Sequence, residues 1–398
     1  MPNRCWKTLP SFERNMDKRL ADAVALAERL RFSGDISGRP LGEEQGADGL
    51  FDQASGYFAQ SGLQVSKDIT PSLFRCMQQA CERISVPLSA IEAYVYASPE
   101  IQAHCFSAGS LRCAIRLASG LVHLLSPAEL NFVIGHEVGH FLLGHGQGGN
   151  HDDSVESFMQ SRAQEISVDR LGLLAGQSIE NGIRSLMKTM SGLEEGFLRF
   201  DTGSFLRQIK GGPEASYLQE YNDSHPSLVI RCRALLWFSM SGVYAEHSGG
   251  PQAKGEPLQV TDQRIQKDLA KYVDGHVREE IAKARKNLTL WLGAAAAIRD
   301  GVFESKEQEA LAGLVGKETL GKLLGLYSSR NRMEIEELTK QRLNKAFDAY
   351  QALAPKECSE QSPAIIRELS QLFFQPDLKE FVFSFIREKE EGARKIQS

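Results

Sequence analysis

Apolar residues recur at helical spacing from Phe12 to Leu30 and again from Thr70 to Ile84, with a Gly-rich polar stretch from Ser33 to Gly49 between them. The pattern predicts two helices separated by a linker or flexible arm. Ala90 to Ala97 is rich in Ile, Tyr and Val and reads as a strand. From Pro127 to about Leu143 the chain reads as one helix, with Ser126 as N-cap, Pro127 at the first helical position and Glu129 where a capping box places it. Leu130, Val133, Ile134, Phe141 and Leu142 make that helix largely apolar, so it is expected to be buried. Ile166, Leu171 and Leu174 space a further helix, and helical pattern returns at Glu180 to Met190 and Pro226 to Ser241. Ser248 to Gly255 interrupts the chain, and from about residue 258 onward every patterned segment is helical. The expected fold class is α+β and mostly helical. Residues 1–60 are expected as an N-terminal helical arm and linker, 61–247 as a central domain with a small sheet, and 258–398 as an all-helical C-terminal domain.

The chemistry lies on the buried helix, in His136-Glu137-Val138-Gly139-His140. Residues i and i+4 share a helix face, so both imidazoles can reach one ion while Glu137, one residue round, points at water bound to it. Gly139 lets a neighbouring backbone approach that face. Catalytic zinc takes three protein ligands and keeps a fourth position for water. Glu165 is the expected third ligand, and Asp169, one turn on, is placed to accept a ring N–H from a ligating histidine. The expected cofactor is one Zn2+ per chain, with Glu137 as general base. His225, just before Pro226, either closes a turn or donates to the oxyanion of an attacked carbonyl, and Arg231 is expected to brace the site's carboxylates. His145, His151, Asp152 and Asp153 cluster around the glycines that end the helix, where cap and loop chemistry explains them better than a second metal.

Composition narrows the class. The 398 residues carry a formal charge of −5 and a sequence pI near 6.1, which gives no electrostatic footprint for nucleic acid. Met1 to Lys7 lacks the apolar core of a secretory signal, and the longest apolar run, Leu288 to Ile298, is about half a membrane span. Seven cysteines without a CxxC pair then favour reduced thiols and a cytoplasmic location. Cys105 and Cys113 are placed to approach across a hairpin, with buried free thiols the preferred reading.

Taken in order, Leu121-Val122 through Pro127 and Glu129, the His136 to His140 motif, Glu165 through Gly172, and His225-Pro226 with Arg231 resemble the M48 family of zinc metallopeptidases over roughly residues 65 to 245. The resemblance implies a gluzincin-type core, a small antiparallel sheet and an edge strand around His104 to Leu117 that pairs with an extended peptide. It also implies a polypeptide substrate, with His104 and Phe106 as substrate-binding residues. Family members usually carry Asn-Ala-Phe where this chain has His104-Cys105-Phe106. Histidine still donates a hydrogen bond there, with a charge that depends on pH. Many relatives span membranes, and this chain reads as a soluble member. Ala296 to Glu307 resembles the signature of TerB-like helical domains, implying a C-terminal module for protein interaction or autoinhibition. The leading expectation is a zinc endopeptidase acting on extended or misfolded polypeptides. The alternative is a metal-retaining, peptide-binding or chaperone-like scaffold with little turnover.

Overall fold

The computed structural model describes residues 17–36, 38, 41–42, 46–145, 154–207, 228–249, 255–272, 275–298 and 303–372. Its elements run α1 Lys18–Leu30, α2 Ala47–Ser61, β1 Leu63–Gln64, α3 Pro71–Arg83, β2 Ile91–Tyr96, β3 Ala103–Phe106, β4 Cys113–Ala118, α4 Ser119–Leu124, α5 Pro127–Leu142, α6 Val155–Gly176 and α7 Ile179–Ser191. They continue with α8 Thr202–Leu206, α9 Leu228–Ser239, α10 Gly242–His247, α11 Leu258–Tyr272, α12 Gly275–Ala297, α13 Ser305–Val315, α14 Lys317–Tyr327, α15 Arg332–Leu353 and α16 Pro355–Leu372. The chain divides into two compact units, Met1–His151 with Phe158–Val273, and Asp152–Ser157 with Asp274–Ser398.

In the first unit the sheet order is β1-β2-β4-β3, with β2 parallel to β4 and the other two pairs antiparallel. The sheet is therefore mixed rather than antiparallel. After β2 the chain forms the outer strand β3 first, turns at Ala108 and Gly109, both with positive φ, and slots β4 back between β2 and β3. Alternation then sends Cys113, Ile115 and Leu117 into the main core, while Ala114 joins Phe51 and Tyr94 on the other face. Of the expected edge segment only the first half, β3, is an edge strand; β4 is an inner one.

Of the first sixty residues, the described helix α1 packs into the central core. Leu20, Ala23, Ala27 and Leu30 follow helical spacing along α1 and enter the same core as α5. Phe32 packs with Ile166, Ile230, Ile265 and Leu269, which groups α11 with this unit, whose second segment runs to Val273.

Helix α5 begins as its sequence predicts, with the Ser126 side chain accepting from Glu129 N–H and the Glu129 carboxylate accepting from Ser126 N–H. Buried Lys188 on α7 donates to that same carboxylate at 2.9 Å, fixing the two helices to each other. Against α6 the crossing is close because glycines form it. A Cβ on Gly135 would lie 2.3 Å from the Ala175 Cβ, and one on Gly172 would lie 2.9 Å from the Phe132 carbonyl oxygen. This approach brings the α6 carboxylates within reach of the α5 histidines.

The second unit contains no strand among its described residues. In it α12 packs on α13, α15 and α16 around residues such as Leu292, Leu311, Leu343, Phe347 and Ile366. Helix α13 opens on a capping box between Glu304 and Glu307. Residues 299–302, within the TerB-like signature, and the charged end from Arg387 lie outside the described residues. Among the described residues no helix is long and apolar enough to cross a membrane.

Candidate metal centre

His136 and His140 project from one face of α5 toward Glu165 on α6, with His136 Nε2 3.5 Å from one carboxylate oxygen and His140 Nε2 3.4 Å from the other. One ligand atom from each residue lies within 4.8 Å of the other two, the one such group of His, Cys, Asp and Glu among the described residues. Donor atoms bound at zinc distances to one tetrahedral ion sit about 3.4 Å apart. The two His–Glu separations match that spacing, and the two-nitrogen, one-oxygen donor set suits zinc.

The remaining ring nitrogens are already committed, which fixes the tautomers. Asp169 lies 3.0 Å from His136 Nδ1 and also accepts from Arg231 through Nε at 2.8 Å and Nη2 at 2.6 Å. Burial pushes the Asp169 carboxyl up, but the Arg231 charge and hydrogen bonds outweigh it and hold the group below its ordinary value. Asp169 is thus an acceptor, His136 Nδ1 carries the proton, and its Nε2 lone pair is turned toward Glu165. Arg231 extends Nη1 to within 3.2 Å of Glu165 as well, so it spans both carboxylates as a brace.

On His140 the same task falls to residues that spacing does not reveal. His140 Nδ1 meets His145 Nδ1 at 3.1 Å, and His145 Nε2 meets Asp35 at 3.0 Å. Asp35 is 3 % exposed and also accepts from Ser167 and Gln160, with Arg31 at 3.4 Å. Burial alone would raise its pKa, yet the His145 hydrogen bond, aided by Arg31 and Ser167, brings it down to about 2. Burial lowers the His145 pKa against the Asp35 hydrogen bond and charge that raise it. The chain of donors runs from His140 Nδ1 to His145 Nδ1 and from His145 Nε2 to Asp35, with His140 Nε2 turned to Glu165. His145 thus links the His140 ring to the Asp35 carboxylate. Asp35 lies in the stretch that reads as a linker, 110 residues from its partner.

His140 carries a further consequence. Burial lowers its pKa, but the hydrogen bond and charge of Glu165, with the charge of Glu137, raise it to about 9 without a metal. An incoming ion must displace the Nε2 proton. Metal affinity is expected to rise about tenfold per pH unit at pH values below about 9, with about one proton released per ion bound from this group. Calorimetry in buffers of different ionisation enthalpy checks it; a pH-independent affinity between pH 6 and 8 contradicts it.

The cluster opens on a cleft of about 480 Å³ whose wall includes Glu137, His104, Cys105, Leu186 and Met190. Glu137 is 8 % exposed there, next in sequence to one ligand and three residues from the other. His104 is on the rim, its Nε2 donating to Gln102 at 3.2 Å. Phe106 is turned away, its ring 6.0 Å from Phe58 on the opposite side of the sheet. Strand alternation gives the cleft Cys105 instead, a residue the sequence did not single out for the site. His225 lies outside the described residues, as do His151, Asp152 and Asp153.

Comparison with known proteins agrees with this geometry. The model of Peptidase family M48 matches residues 69–149, from the start of α3 to beyond the second histidine. Plastoglobule-localized metallopeptidase 48, chloroplastic, from Arabidopsis thaliana is 26 % identical over a match covering 46 % of this chain and 61 % of that protein. The chain thus spans less than two thirds of the relative's length. No solved structure matches. The chain is thus similar to Peptidase family M48 over the segment that carries the His136 and His140 pair.

Proposed function

We propose that this chain is a zinc endopeptidase that hydrolyses peptide bonds in extended or misfolded polypeptides. The observation that carries the reading is the convergence of two oriented imidazole Nε2 atoms on the Glu165 carboxylate at 3.4 and 3.5 Å, beside a cleft that also presents Glu137. His136, His140 and Glu165 would hold the zinc, which when bound supplies Lewis acidity and lowers the pKa of water. Glu137 takes the proton of the attacking water and passes it to the leaving amine. Arg231 and Asp169 keep Glu165 and His136 in register throughout. The free side of β3 offers backbone groups to an extended substrate, an affinity that depends little on sequence and suits unfolded chains. His104 stands on that strand as a donor to substrate.

A second reading, a peptide-binding scaffold with little turnover, draws support from the His104 ring being engaged with Gln102. Both readings are tested by cleavage and binding of a denatured protein before chelation, after it, and after zinc is restored. Cleavage that disappears with the metal and returns with it is the expected result. Full zinc loading with binding but no cleavage would replace the enzyme by the scaffold.

A further inference from the structure

Two thiols meet in the wall of the cleft. Cys105 Sγ on β3 lies 3.2 Å from Cys113 Sγ on β4, both as free cysteines. The register pairs Cys105 with Ile115, so Cys113 is its diagonal neighbour on the same sheet face. Among the described residues Cys105 is the one cysteine that is not buried, and it lines the cleft, whereas Cys76, Cys81, Cys113, Cys232 and Cys358 are enclosed. One thiol is thus accessible and its resolving partner is in contact with it, the arrangement a reversible oxidation site requires.

We propose that Cys105 and Cys113 form a peroxide-sensitive dithiol whose closure to a disulfide displaces the substrate-facing strand and lowers turnover, the last clause resting on the endopeptidase reading above. The chemistry balances with hydrogen peroxide as oxidant. The Cys105 sulfur attacks one peroxide oxygen, the O–O bond breaks, and Cys105 becomes a sulfenic acid as water leaves. The Cys113 sulfur then attacks the Cys105 sulfur; the S–O bond breaks, and the departing hydroxide takes the Cys113 proton as a second water. Two thiols lose two electrons and two protons in all. Burial, together with the neighbouring Cys105, holds the Cys113 thiol well above its ordinary value, consistent with the first attack falling to Cys105.

Closure carries a mechanical cost that β3 must absorb. A disulfide needs its sulfurs about 2.05 Å apart, against the present 3.2 Å. β4 is paired on both sides and buried on both faces, whereas β3 is held only by β4 among the described strands. The outer strand moves, and Ala103, His104 and Cys105 move with the cleft wall they form. Misplacement of about 1 Å in a positioning element can cost on the order of a hundredfold in rate.

The test treats the reduced full-length protein with micromolar hydrogen peroxide and digests it with trypsin. Cleavage after Arg83, Arg112 and Arg116 places Cys105 in Ile84–Arg112 and Cys113 in Cys113–Arg116, so the disulfide joins two separate peptides. The expected result is that cross-linked pair as the first oxidation product, lost on adding dithiothreitol and absent in both Cys105→Ser and Cys113→Ala. In parallel, kcat/KM on an unfolded protein should fall by about tenfold or more and recover on reduction, while each variant keeps its own reduced rate under peroxide. Oxidation that leaves Cys105 as a sulfinic acid, or that spares both thiols, overturns the site. A cross-link with unchanged kcat/KM overturns its effect on turnover. If the reduced protein cleaves nothing, the endopeptidase reading fails and the regulatory clause with it, while the cross-linked peptides still decide the site.

Discussion

Glu137→Gln is expected to bind one zinc per chain as the wild type does and to cleave a denatured protein about 10²- to 10⁴-fold more slowly, the range general acid–base catalysis supplies. The substitution keeps the side chain's volume and hydrogen-bonding reach and removes only its ability to take a proton. Glu137 is not among the three converging residues, so metal content should be unaffected. Buried in the cleft wall on a helix fixed by its capping box, it has little freedom to rearrange. Metal analysis and initial rates on the same preparation decide the matter. Cleavage at the wild-type rate with zinc in place would remove Glu137 from the proton transfer; loss of zinc would instead mean that the glutamate helps hold the ligands.

What could be read in advance follows the range of each interaction. Helix α5 was legible to within a residue because its signals are local: a cap, a proline, a capping-box glutamate and a His pair at i and i+4. Glu165 and Asp169 were legible because one turn of a single helix relates them, and the expected contact of Asp169 with a ligating histidine is present. Arg231 was anticipated as a brace, and it contacts both acids. The Asp35 to His145 link was not legible, since it joins segments 110 residues apart and Asp35 looks like any acid in a Gly-rich stretch. The parallel pairing of β2 with β4 was hidden for a related reason. A hairpin between β3 and β4 is a local feature, but the insertion of β4 beside β2 depends on which side of the sheet the chain has already occupied. Phe106 follows Cys105 on a strand whose neighbouring side chains face opposite ways, and its ring packs with Phe58 on the face of the sheet that holds Tyr94.

Asp169→Ala is expected to cost about 3–5 kcal/mol of stability, the penalty for breaking a buried ion pair and leaving one charge behind, and to weaken zinc binding by about 10- to 100-fold. Asp169 and Arg231 are 1 % and 7 % exposed and joined by two hydrogen bonds, so solvent cannot take over for the lost carboxylate. Arg231 would be left with Glu165, 3.2 Å away, as its partner in this pair of acids, and that attraction would compete with a metal for the Glu165 carboxylate. His136 would lose the acceptor that fixes its proton on Nδ1. Because Arg231 holds the Asp169 carboxyl below its ordinary value, this stabilisation is present above the unfolded-state pKa of about 3.9 and lost as pH falls through the lower folded value. Urea unfolding of the metal-free proteins at neutral pH isolates the effect from zinc linkage. The double variant Asp169→Ala with Arg231→Met, which removes both charges, should be more stable than Asp169→Ala alone. If it is less stable by the sum of the two single losses, the pair is not coupled and the cost of Asp169→Ala arises from packing instead.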